Sequence, residues 1–283
     1  APAVNAGGEA GGTAGYIGAA LPRASAKRLL AGRGRYVDDI KLPRMAHAVF
    51  VRSPYAHARI LAVDTAQAGR SDGVLDVMTG RDIARLVDPY VGVLTHIKGM
   101  RSAPQYPLAI ERARWQGEPV AMVVAETRAK AEDAAQLVQV EWQELPAVTD
   151  PEKALDAAGI VIHPELGSNL CHDRTVDAGA VEEAFARAAH VVGAGFETAR
   201  HTPVSLEPRA ILADFSPEDG QLTVWQSTQV PYMMQWILAR HFRLRETHVR
   251  VVAPDVGGSF GLKIHVYGDE MATVAASLAL ARP

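Results

Sequence analysis

Residues 225–261 read WQSTQVPYMMQWILARHFRLRETHVRVVAPDVGGSFG. The order they imply is strand, polar corner, helix, strand and glycine loop. Pro231 suits the first turn of a helix, where its missing N–H would have had no intrahelical partner. Met234, Ile237, Leu238 and Phe242 then recur at helical spacing, so this helix buries one face. From His248 the pattern changes to VRVV, with Val249 and Val251 two apart, and Pro254 closes the strand.

The loop that follows, Asp255-Val256-Gly257-Gly258-Ser259-Phe260-Gly261, places three glycines in five positions. Such a loop lets the backbone adopt positive φ and lets a ligand approach the main-chain amides with no side chain in the way. Its amides are therefore candidates for holding an anionic or oxo ligand. The plainer alternative is a tight strand-to-helix connection with no ligand. The spacing is not Gly-x-Gly-x-x-Gly and no Gly-Lys-Ser/Thr follows, so neither the dinucleotide fingerprint nor the P-loop is matched.

Taken together and in order, STQVPYMMQWILARHF and VRVVAPDVGGSFGLKIHVYGDE resemble the start of the molybdenum-binding region of the molybdenum hydroxylases, the large-subunit family of xanthine oxidase, aldehyde oxidase and carbon monoxide dehydrogenase. The resemblance implies that a glutamine just before the helix, together with the glycine loop, lies against a molybdenum-pterin cofactor. By position these residues are Gln229, Gly257, Gly258, Ser259, Phe260 and Gly261, with Ser259 standing where the family has glycine.

The 283 residues are enough for two ordinary domains, and 48% hydrophobic with 22% charged is a globular composition. A formal net charge of -3 offers no general attraction to nucleic acid or anionic lipid, so nucleic acid is not expected as a partner. The single cysteine, Cys171, has no partner for a disulfide and cannot alone build a zinc or iron-sulfur site. Any iron-sulfur centre would sit in another chain. The longest apolar stretch, residues 271–281, is too short to span a bilayer, so no transmembrane segment is expected. The first residues have no basic region before an apolar core, which argues against a secretory signal and for a flexible tail over residues 1–22. The chain does not begin with methionine, which suggests processing or an ordered region that starts later.

Along the chain, RASAKRLLAGRGRYVDDI at residues 23–40 reads as a short basic helix broken by Gly32 and Gly34. Alternating apolar runs at 46–52, 58–64 and 74–79 read as strands. His47 and His57 stand ten apart with no compact ligand spacing, so they are taken as turn or core histidines and not as metal ligands. In GEPVAMVVAETRAKAEDAAQLVQVEWQELPAV, residues 120–125 form a buried strand and Thr127 an N-cap. Ala131, Ala134, Ala135 and Val138 form a small-residue helix face, and 138–142 a second strand, an order that indicates an α/β layer. GRGRYVDDI, SPYAHARI and GEPVAMVVAE resemble the a/b hammerhead domain that precedes the molybdenum region in the same family.

Helices are expected at 151–158 and 178–189, with His163, Cys171, His172 and Asp173 read as part of a linker because their spacing fits no standard metal site. Residues 191–215 read as two strands around a corner at 202–208. There Glu207 is either an acid or base or, as preferred here, a structural carboxylate paired to arginine or otherwise hydrogen-bonded. After the glycine loop, Tyr267, Met271, Val274, Ala275 and Leu278 share a helix face that the few strands of the second domain do not suffice to cover, so a surface from another chain is expected.

The expected fold is thus α/β in the α+β sense: a flexible tail over 1–22, an a/b hammerhead domain over 23–150, a linker with short helices over 151–189, and the first part of a mixed-sheet molybdopterin-binding domain over 190–283. The resemblance implies a molybdenum-binding subunit, whole or split, of a hydroxylase that oxidises an aldehyde or N-heteroaromatic small molecule with water-derived oxygen. Electrons would pass to [2Fe-2S] and FAD subunits, and the pterin would be of the cytosine dinucleotide form. Gln229 would donate its amide to an oxo ligand, and the amides near Phe260 and Gly261 would hold the ligand shell. The family's base, a glutamate late in the large subunit, has no counterpart here, which implies a further chain carrying the C-terminal part of that subunit. Ile264 stands where purine-oxidising relatives carry a glutamate, which argues against purines. A cytoplasmic location is expected, with membrane association only through partners. The competing reading is a non-catalytic assembly module of the same fold without cofactor.

Overall fold

The run PVAMVVA, Pro119–Ala125, is apolar at every position, and the computed structural model buries all seven residues at the centre of a sheet. The structure describes residues 17, 19–92, 96–156 and 159–283. The tail expected over 1–22 falls mostly outside these residues, as does the end of the helix expected at 151–158. Residues up to Arg35 form one unit and Tyr36–Pro283 another. In the first unit, helix α1 (Ala26–Leu30) ends at Gly32, whose left-handed φ of 68° lets the amides of Gly32 and Arg33 close back on Leu29 and Arg28.

The second unit runs in chain order β1 (His47–Arg52), β2 (Ala58–Asp64), β3 (Val74–Thr79), α2 (Gly80–Ile83), β4 (Arg112–Ala113), β5 (Pro119–Ala125), α3 (Arg128–Ala135), β6 (Gln139–Glu144), α4 (Val181–Arg187), β7 (Ile211–Ser216), β8 (Gln221–Gln226), α5 (Pro231–His241), β9 (Val249–Val252) and α6 (Gly268–Leu280). Three sheets result, ordered β1-β5-β3, β4-β2-β6 and β7-β8-β9. The first two are antiparallel throughout. The third joins an antiparallel hairpin, β7–β8, to a parallel pair, β8–β9, across helix α5.

The succession β5–α3–β6 looks in sequence like one α/β layer, but its two strands belong to different sheets. β5 is apolar on both faces and must be central. β6, QVEWQE, buries no residue fully and alternates half-buried with exposed positions, so it fits a sheet with one solvated face and pairs with β2. Thr127 caps α3 by accepting from the Lys130 amide, and Ala131 and Ala134 are buried against the sheet.

One core joins both halves of this unit. Met78, Ile83, Leu108, Met122 and Val124 pack in the same cluster as Leu222, Val224, Met234, Leu238, Met271 and Val274. Helix α6 lies inside it, with Met271, Ala272, Val274 and Ala275 fully buried. The expectation that another chain must cover this helix is therefore overturned. Sheet β7-β8-β9 takes one side and the inner face of β1-β5-β3 the other, so the missing surface comes from the first half of the same chain.

Three other expectations are corrected. The strand expected at the start of 191–215 does not form: Val192 and Phe196 are about nine-tenths exposed, with no described strand beside them to take their hydrogen bonds. Only Ile211–Ser216 pairs. The helix expected over 151–158 is a single 3₁₀ turn at Lys153–Leu155, and that over 178–189 contracts to the exposed α4.

Gly268 opens α6 where a Cβ would strike the backbone carbonyl oxygen of Pro107. Backbone on both sides leaves no flexible side chain to yield. Gly268→Ala is expected to lower stability by about 1–3 kcal/mol through overpacking, read as a shift of the urea midpoint. An unshifted midpoint would show that the first turn of α6 is free to move away from Pro107.

Candidate functional site

The corner between β8 and α5 is Ser227-Thr228-Gln229, and its main-chain amides donate to the carbonyls of Ala210, Gln226 and Lys263. The oxygen of Lys263 accepts from the Gln229 amide at 3.2 Å and from Thr228 Oγ1 at 3.1 Å, and Thr228 Oγ1 accepts in turn from the Val230 amide. Ser227 and Thr228 are buried, whereas Gln229 is exposed and its carboxamide has no hydrogen bond among the described residues. A side chain held by its backbone with its polar tip free is available to a ligand.

The glycine loop lies beside this corner, since Lys263 stands two residues after its last glycine, Gly261. Gly258, Phe260 and Gly261 have left-handed φ of 98°, 49° and 89°. Ser259 is not among the positive-φ residues, so a side chain is tolerated where the family has glycine. Phe260 holds a conformation that costs a non-glycine residue about 1–2 kcal/mol, and its ring is 77% exposed. The loop closes through the Leu262 amide on the Ser259 carbonyl at 2.7 Å. The amides of Gly258, Ser259, Phe260 and Gly261 have no acceptor among the described residues. Such a run of unpaired N–H groups can present several donors to one anionic or oxo ligand.

Gly257 differs from the other loop positions. Its amide is taken by Glu207 Oε2 at 2.7 Å, and a Cβ there would lie 2.5 Å from that of Glu207. Gly257 is a glycine so that Glu207 can approach. The same Oε2 accepts from Ser227 Oγ at 2.7 Å and from Lys263 Nζ at 2.9 Å. Of the two pairings expected for Glu207, with arginine or by other hydrogen bonds, the second is found, and its cation is Lys263, whose side chain is fully buried. The preference for a structural carboxylate stands on these three donors.

Arg209 goes instead to the start of α6. It stacks on Tyr267, 3.8 Å from the ring centroid, gives both terminal nitrogens to Asp269 at 2.8 Å, and reaches Glu270 at 3.0 Å. Arg52 of β1 adds a second cation on Asp269 at 2.8 Å. Burial pushes the Asp269 carboxyl up, but hydrogen bonds and charge from Arg209 and Arg52 outweigh it and leave it below the usual range. Burial pushes Glu270 up to about 7, because Arg209 is already engaged by Asp269 and offsets only part of the cost. Sequence reasoning missed both Lys263 and this network. The adjacent pair Asp269-Glu270 at a helix start was the available signal for the second, while nothing local marks Lys263 as buried.

No group of three or more His, Cys, Asp or Glu poised for a metal occurs among the described residues. His57 Nδ1 lies 2.7 Å from the Pro146 carbonyl in the protein interior, and His163 pairs with Glu165. Cys171 is an exposed free thiol.

The β1-β5-β3 sheet shares its core with a strand–helix–strand unit whose loop carries the unpaired amides. Family models match accordingly: residues 31–146 match the aldehyde oxidase and xanthine dehydrogenase a/b hammerhead domain, and residues 162–283 the molybdopterin cofactor-binding domain. The chain belongs to the molybdenum hydroxylase large-subunit family. The nicotine 6-hydroxylase large subunit of Paenarthrobacter nicotinovorans is 39% identical over 96% of this chain and 33% of its own length. The carbon monoxide dehydrogenase large chain of Afipia carboxidovorans is 34% identical over 90% of this chain and 32% of its own. Among solved structures, quinoline 2-oxidoreductase from Pseudomonas putida 86 matches at 38% identity and a TM-score of 0.86, covering 93% of this chain and 33% of that one. The chain spans about a third of the length of these relatives. No helix among the described residues is long and apolar enough to cross a membrane.

Between pH 4.5 and about 7 the folded chain holds the Glu270 proton that the unfolded chain has released. With more protons bound in the folded state, stability falls as pH rises through this window, by up to about 1.4 kcal/mol per pH unit. Glu270→Gln is expected to flatten that slope, measured by urea unfolding at several pH values. A slope identical to that of the unaltered protein would place the proton elsewhere.

Proposed function

We propose that this chain supplies one wall of a molybdenum-molybdopterin site in a hydroxylase large subunit, with Gln229 and the amides of Gly258, Ser259, Phe260 and Gly261 as the holding groups. The observation that carries the reading is the set of free donors. Four loop amides without acceptors and a carboxamide without a partner belong to two elements that Glu207 ties together through Gly257 and Ser227, with the Lys263 carbonyl holding the corner. The donor chemistry fits the group, because neutral N–H donors suit oxo and phosphate oxygens and do not titrate while a redox centre changes charge. Gly257 belongs to the support of the loop, with its N–H committed to Glu207.

When bound, the group supplies the two-electron chemistry that inserts a water-derived oxygen at a carbon of the substrate. The residues of this chain bind and orient. Gln229 donates from its carboxamide, the loop amides donate from the main chain, and the exposed Phe260 ring walls the substrate space and keeps water from it. We assign the pterin to the cytosine dinucleotide form, the electron path to [2Fe-2S] and FAD partner subunits, and the proton-accepting glutamate to large-subunit sequence outside these 283 residues. The substrate class is an N-heteroaromatic or an aldehyde. Ile264 in place of an acidic residue favours these over purines, and the likeness to a nicotine hydroxylase and a quinoline oxidoreductase supports the N-heteroaromatic choice.

Metal and pterin analysis of the intact complex tests the reading. About one molybdenum per large subunit is expected, whereas a freshly isolated complex without molybdenum or pterin would make this chain an assembly module. Gln229→Ala, in the same complex, is expected to lower turnover about 100-fold, in the range for loss of one positioned donor, at unchanged melting temperature and molybdenum content. Unchanged turnover in the fully metallated variant would remove Gln229 from the site.

A further inference from the structure

We propose that Glu207 is the positioning residue that sets the distance between the Gln229 corner and the glycine loop, with Lys263 as its buried counter-charge. The proposal rests on the cofactor reading for its consequence in turnover, but not for the clamp itself. Three donors, 20, 50 and 56 positions along the chain from Glu207, converge on one of its carboxylate oxygens: Ser227 from the corner, Gly257 from the entry of the loop, and Lys263 from its exit, at 2.7, 2.7 and 2.9 Å. Lys263 closes the ring. Its ammonium also binds the Glu207 carbonyl at 2.9 Å, while its own carbonyl holds Gln229 and Thr228. Ser205 Oγ ties the same Glu207 carbonyl at 2.7 Å.

The arrangement is built for position and is poorly arranged for stability alone. All three donors fall on Oε2, and the buried Oε1 has no partner. A buried ion pair is on average no more stabilising than apolar groups of the same shape, although removing one member leaves a lone charge and is costly. What apolar groups could not replace is the simultaneous acceptance from Ser227 and Gly257. Charge-assisted bonds to the loop entry and to the corner hold two otherwise exposed ligand-facing pieces at a fixed separation. Glu207 touches no reacting atom in this scheme and acts through Gln229 and the loop.

Glu207→Gln, Glu207→Gln/Lys263→Met and Ser227→Ala, each made in the intact complex, separate position from stability. Glu207→Gln is expected to lower the melting temperature, and the double variant to recover most of that loss because no charge is left alone. The double variant should nonetheless show amide hydrogen exchange over residues 257–262 accelerated at least tenfold, with molybdenum content and turnover reduced by a similar factor. Ser227→Ala, which leaves no charge alone, should lower the melting temperature less than Glu207→Gln and lower turnover at least fivefold, with KM little changed. Exchange and turnover at the level of the unaltered complex in the double variant, or in Ser227→Ala if the former does not fold, would overturn the proposal. Hydrogen exchange is read whether or not the complex carries molybdenum. Accelerated exchange in a complex devoid of metal would keep the clamp and refute only the cofactor reading.

Discussion

Burial of helix α6 on two opposite sides is the constraint on which the rest of this chain depends. Met271 and Val274 are inaccessible to solvent, and burying such side chains contributes about 1.5–3 kcal/mol each. Neither three-stranded sheet could cover both sides of α6 alone. Sheet β7-β8-β9 meets it through β7, where the Phe215 amide donates to Ser277 Oγ at 3.0 Å. The first sheet meets it through Met122 and Val124 of β5. Because one helix completes the core that both halves share, the two halves of residues 36–283 are a single packing unit, and the exposed corner and loop are mounted on a base that neither half could supply by itself.

Electrostatics at the first turn of α6 follow from the same packing. Asp269 and Glu270 are drawn inside by the helix that carries them, at an N-terminus where negative charge is favoured. One guanidinium, Arg209, serves both, with Arg52 reaching Asp269 from β1. Asp269 takes the bidentate share and stays ionised. Glu270, 5% exposed, is the carboxyl left with too little positive charge. The chain therefore binds its two halves together with a strong ion pair and carries an uncomfortable acid as the by-product of adjacency in sequence.

Much of this organisation was legible in the residues. The alternation at 58–64 and 74–79 marks β2 and β3 at their observed limits, Thr127 announces the start of α3, and Pro231 with Met234, Ile237 and Leu238 describes α5 and its buried face. These are signals of local geometry, which short windows contain. What was not legible depends on partners distant in the chain. β5 and β6 flank one helix yet join separate sheets, because the choice is made by β1, β3 and β2. The apolar residues at 191–196 look like a strand and remain exposed, because a strand requires a neighbour that no pattern within it can specify. Lys263 is the clearest case: among the residue types least often fully buried, it becomes fully buried only because Glu207, 56 positions earlier, waits for it. At the candidate site, the sequence marked the groups that face outward and not those that hold them.

That division has a physical reason. Gln229, Phe260 and Gly261 are exposed, whereas Ser227, Thr228 and Lys263 are 1%, 3% and 2% exposed. A group that meets a ligand must be left without an internal partner, so in the protein alone it is stationary only if its backbone is fixed from below. The left-handed turn at Phe260 shows the load this places on the support. A non-glycine residue with an exposed ring gains little packing to offset its backbone cost, and the conformation persists because Gly257 and Leu262 are tied on either side of it, to Glu207 and to Ser259. Preorganisation here means free donors at the surface and spent donors one layer beneath, and the pair of the half-buried Glu207 carboxylate with the buried Lys263 ammonium is the point at which the two layers are joined.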